Sequence, residues 1–80
     1  MQEHDFAKYR RRVSRAIGAE IRAARISADL TQEDVAHQAG LSVQTYASLE
    51  RGYSSTGAGT NPTLDTLLRV LTTLGIEDPE

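Results

Sequence analysis

Between Thr31 and Gly52 the chain carries two helix starts and two helix stops. Thr31-Gln32-Glu33-Asp34 has the spacing of a capping box, with Asp in place of the usual Glu. Gly40 supplies the left-handed residue that ends a helix. Ser42 then opens a second helix, Val43 to Arg51, and Gly52 closes it. Each helix has room for only two or three turns. Helices that short do not hold in water alone, so both must pack on longer neighbours. The link Gly40-Leu41-Ser42 is too short for anything but a tight turn between adjacent helices.

The neighbours are also helical. Alanine (10) and leucine (8) dominate, while valine and isoleucine contribute four each. Strong helix formers therefore outnumber strand formers, and no apolar/polar alternation supports a sheet. The chain reads as all-α. A first helix is expected from an N-cap at Asp5 to about Ala28. Phe6, Tyr9, Val13, Ala16, Ile17, Ile21 and Ala24 share one stripe at 100° per residue. Lys8, Arg11, Arg12, Arg15 and Arg22 fall opposite. Gly18 interrupts this helix and is read as the place of a bend, with two helices as the alternative. Asp29 stands where a left-handed C-terminal residue is needed. A last helix follows Pro62-Thr63, with Thr63 as N-cap, Leu64, Leu67, Leu68, Leu71 and Leu74 as its stripe, and Gly75 as its stop.

At 80 residues this is one domain. The parts are an extension at 1–16, the helix pair at 31–52, a Gly/Ser/Thr-rich loop at 53–61, the fourth helix at 62–75 and an acidic tail at 76–80. With no cysteine there are no disulfides or thiolate metal sites. His4 and His37 form no metal-ligand pattern. The loop lacks GxxxxGK[ST] and follows no strand, so it is no nucleotide cradle. Nothing resembles a catalytic triad, and four small helices imply no large concave site; no enzyme and no cofactor are expected. No apolar run could span a bilayer, and MQEHDF has no signal-peptide layout, so a cytoplasmic protein with no membrane partner is expected.

The net charge of −2 hides a division. Residues 1–27 carry seven basic and three acidic groups; residues 28–80 carry two basic and eight acidic. The Arg10-Arg11-Arg12 run reads either as a solvated face or as an arm that contacts phosphates.

The helix Val43–Arg51 separates into two faces. Tyr46, Leu49 and Glu50 lie on one half, with Thr45 at its edge. Val43, Gln44, Ala47, Ser48 and Arg51 lie on the other. An outward β-branched Val43 gains nothing structurally. A small, polar outer face on the second of two helices joined by a tight turn suits entry into the major groove of DNA. There Gln pairs with adenine, Ser donates or accepts, and a Val methyl packs on a thymine methyl.

Residues 31–52, TQEDVAHQAGLSVQTYASLERG, resemble the Cro/cI-type (XRE, phage-repressor-like) helix-turn-helix family. IGAEIRAAR at 17–25 resembles that family's first helix, and NPTLDTLLRVLTTLG at 61–75 its fourth. The resemblance implies a compact four- to five-helix bundle of the lambda-repressor-like type, here with an extended N-terminal helix. It implies that Gln32 touches a DNA phosphate and braces Gln44. Val43, Gln44 and Ser48 would face bases, with Ala47 near the groove floor. Thr45, Arg51 and Tyr53 would touch phosphates. Arg25 and Glu50 would pair across the first and third helices, largely out of water.

The function so implied is a sequence-specific transcriptional regulator, a repressor that binds a palindromic operator in double-stranded DNA as a homodimer. Two alternatives remain open. One is the antitoxin of a toxin–antitoxin pair, with a toxin as protein partner. The other is a helix-turn-helix used only as a protein-interaction module. These residues are also consistent with the DNA-binding part of a longer protein. The Phe6–Tyr9–Val13 stripe is expected to cover the fourth helix or to form a dimer seam.

Overall fold

The structure, a computed structural model, describes residues 2–52 and 62–76. The loop 53–61, with Tyr53, and the acidic residues 77–80 lie outside the described residues. Among the described residues there are four α-helices: α1 (Glu3–Ser27), α2 (Gln32–Ala39), α3 (Val43–Arg51) and α4 (Leu64–Thr73).

Three of the four starts follow from capping chemistry. Thr31 accepts from the Asp34 amide at 3.0 Å, and the Asp34 carboxylate accepts from the Thr31 amide at 2.9 Å. This completes the capping box and pulls the Asp34 carboxyl below the usual carboxylate range. Ser42 and Thr63 accept from the amides three residues on, at 3.1 Å each. The start of α1 differs from expectation. Its N-cap is Gln2, with no side-chain cap, and Asp5 lies inside the first turn beside Glu3. There both carboxylates suit the positive end of the helix dipole.

Three ends share one closure. Asp29 (φ 59°), Gly40 (φ 73°) and Gly75 (φ 70°) adopt the left-handed conformation. The next amide then bonds back to the carbonyl five residues before it: Leu30 to Arg25, Leu41 to Ala36, Ile76 to Leu71.

The core joins all four helices. Ile21 from α1, Val35, Ala36 and Ala39 from α2, Tyr46 and Leu49 from α3, and Val70 from α4 are buried. Leu30, Leu41, Leu67, Leu71 and Leu74 pack around them. The expected α4 stripe is therefore rotated. Val70 takes the centre, while Leu64 and Leu68 are 71% and 50% exposed.

Gly18 does not break α1, which is continuous from Glu3 to Ser27. A Cβ there would run into the Leu49 and Glu50 carbonyl oxygens. The glycine lets α1 lie directly on the end of α3. Gly52 makes the reciprocal contact, against the backbone of Ser14 and Arg15.

Candidate nucleic-acid interface

α3 is fixed from behind by a polar cluster. Arg25 Nε lies 2.6 Å from Glu50 Oε2, and its Nη2 donates to Oε1 at 3.2 Å. Its Nη1 donates to the Leu30 carbonyl at 2.9 Å. Gln32 Nε2 donates to Glu50 Oε1 at 3.0 Å. One arginine thus ties the end of α1 and the turn after it to the end of α3, and Gln32 adds the start of α2. Only 14% of the Arg25 side chain and 3% of the Glu50 side chain are exposed.

Burial alone would raise the Glu50 carboxyl. Hydrogen bonds from Arg25 and Gln32, with the positive charge of Arg25, overcome that and hold it below the usual range. The same burial, then the Glu50 carboxylate, pushes the Tyr46 phenol well above its ordinary value, so it stays neutral. Arg25 is pushed up mainly by its bonds to Glu50.

The opposite face of α3 is open. Val43, Gln44, Thr45 and Arg51 are exposed, and Ala47 and Ser48 are half-buried between them. Val43, a branched apolar residue, remains 42% exposed. The Ser48 hydroxyl donates to the Gln44 carbonyl at 3.1 Å and accepts from Arg51 Nη2 at 3.3 Å. The Thr45 hydroxyl accepts from Ser42 at 2.9 Å. Gln44 is the long uncharged polar side chain that this face presents. The first turn of α3 carries no acidic residue, whereas α1, α2 and α4 each carry at least one. The positive end of α3 therefore has no carboxylate in its first turn to compete with an incoming anion.

The structure brings Val43, Gln44, Thr45, Ala47, Ser48 and Arg51 onto one surface, and Arg25, Glu50 and Gln32 onto the other side of α3. Among the described residues no hydrogen bond joins Gln32 to Gln44. The Gln32 amide turns instead to Glu50, because an ionised carboxylate is the stronger acceptor. Tyr53 lies outside the described residues. The sequence reading missed the Leu30 carbonyl as part of the cluster, because a backbone acceptor has no signal in side-chain pattern.

Among the described residues no helix is long and apolar enough to cross a membrane. No match is found among curated proteins or among solved structures. A family model described as helix-turn-helix matches residues 21–80, three quarters of the chain. The match begins at Ile21, within α1, and takes in both capped short helices and α4. The chain therefore belongs to the Cro/cI-type (XRE) helix-turn-helix family of DNA-binding transcription regulators.

Proposed function

We infer that the protein is a sequence-specific repressor that binds a palindromic operator as a homodimer in the cytoplasm. The observation that carries this reading is the outer face of α3. It is small and polar, it presents Gln44 and the exposed Val43, and its helix start is free of carboxylates. In this reading α3 lies in the major groove. Val43, Gln44 and Ser48 face bases, with Ala47 near the groove floor. Thr45, Arg51 and Tyr53 contact phosphates and set the register. Gln32, whose amide already braces Glu50, reaches the backbone only through its position at the start of α2.

A single short helix reads few base pairs, so two copies are needed for a useful site. Phe6 and Tyr9 on α1 and Leu64 and Leu68 on α4 are all exposed, and they supply apolar surface for the dimer contact. Gln44→Ala tests the base contact. Across a panel of single-base operator variants the loss should be about 1–3 kcal/mol, confined to one position in each half-site. A uniform loss over all sequences would place Gln44 on the backbone instead.

A further inference from the structure

The N-terminal half of α1 holds the densest positive charge in the chain. Lys8, Arg11, Arg12 and Arg15 line one shallow groove on its surface. Their steps of three, one and three residues put them on one helix face. Arg10, from the same sequence run, is half-buried and lies about 100° back around the axis from Arg11. The charge is organised as a helix face, and the run of three arginines is split by it.

The direction of that face follows from what α1 touches. Gly18 meets the carbonyls at the end of α3, and Gly52 meets Ser14 and Arg15. Ile17 and Ile21 border an apolar recess with Leu49, Pro62 and Leu67. At about 100° per residue, Ile17 and Ile21 fall to one side of the Gly18 direction, and Arg11, Arg15 and Lys8 to the other. Seen down α1, α3 thus lies between the core flank and the basic flank. The basic flank is therefore on the opposite side of the α1–α3 contact from the apolar Ile17–Ile21 flank. It starts beside the last residues of α3 and runs on for about 10 Å, from a rise of 1.5 Å per residue.

We propose that the Lys8–Arg11–Arg12–Arg15 face binds the phosphate backbone of the same duplex, next to the groove that α3 enters. This rests on the DNA-binding reading of α3. The charge division favours such a contact. Residues 28–80 carry two basic and eight acidic groups, so the recognition half alone is repelled by DNA. Duplex DNA presents one negative charge per about 1.7 Å of axis, so a face of this length meets several. The Arg12 guanidinium lies 5.8 Å from the Tyr9 ring centroid, which steadies it on the helix surface.

The test is the salt dependence of binding to a mixed-sequence duplex, measured from about 50 to 200 mM salt. Each lost phosphate contact removes about 0.9 from the slope of log K against log salt, so R11A/R12A should flatten it by about 1.8. Both side chains are exposed, and an unchanged melting curve shows that the variant folds. R69A removes one charge from α4, away from this face, and should leave the slope unchanged. An unchanged slope in R11A/R12A, with wild-type binding intact, overturns the inference and leaves the α3 reading standing. An equal flattening per charge in R69A also overturns it, since net charge alone would then account for the effect. Wild-type protein that binds no duplex at the lowest salt overturns both readings.

Discussion

Glu50 is buried to 3% of side-chain exposure and takes hydrogen bonds from Arg25 and Gln32. Glu50→Ala strands the Arg25 guanidinium and the Gln32 amide together. Losing one partner of a buried pair costs about 3 kcal/mol or more, a large share of the stability of a small domain. We expect Tm to fall by more than about 10 °C; an unchanged Tm would contradict the account. The carboxyl also makes the fold acid-sensitive. Its folded value lies below its unfolded one, so its contribution is complete above the ordinary carboxylate range. It is lost as pH falls from about 4 through the depressed value. Asp34, held low by the capping box, acts in the same direction. Glu50→Gln should therefore lower stability at neutral pH and flatten the acid limb of the stability curve, leaving the part due to Asp34. An acid limb as steep as the wild type's would rule Glu50 out as its source.

At the scale of elements, the seat of α1 on α3 depends on Gly18. Alanine would favour the helix by about 1 kcal/mol, but its Cβ meets backbone carbonyls of α3 that cannot turn aside. The clash prevails, and Gly18→Ala should destabilise by about 1–3 kcal/mol, as overpacking does. A higher Tm in the variant would show that α1 and α3 separate easily. The same residue marks what the sequence could not convey. Gly18 reads as a bend because its reason for being glycine lies more than thirty residues away, at Leu49 and Glu50. The boundaries of α2, α3 and α4 were legible because Thr31, Ser42 and Thr63 bond to amides three residues on. The start of α1 was not, because Gln2 caps without a side-chain bond. Periodicity placed a leucine stripe on α4 but not its rotation. Leu64 and Leu68 lie at its exposed edge, and the smaller Val70 is central. The surface of α3 was legible face by face, since Tyr46, Leu49 and Glu50 must turn inward together. The Gln32 partner was not, since choosing Glu50 over Gln44 needs the three-dimensional approach of α2 to α3.

The whole molecule divides its labour by charge. A basic α1 sits over the end of an otherwise acidic bundle, and the outer face of α3 is nearly neutral, with Arg51 its one cation. If the two proposed contacts hold, non-specific attraction and sequence reading reside on different elements, one sensitive to salt and the other to base identity. A two-copy assembly would set two α3 helices at a fixed distance, and the DNA it prefers would carry that distance as half-site spacing. The most direct measurement is a selection of the purified protein on random duplex DNA at moderate salt, with sequencing of the retained molecules. The account predicts an enriched inverted repeat with half-site centres one helical turn apart, about 34–36 Å, or a multiple of it. Retained DNA with the same sequence distribution as the input would contradict it.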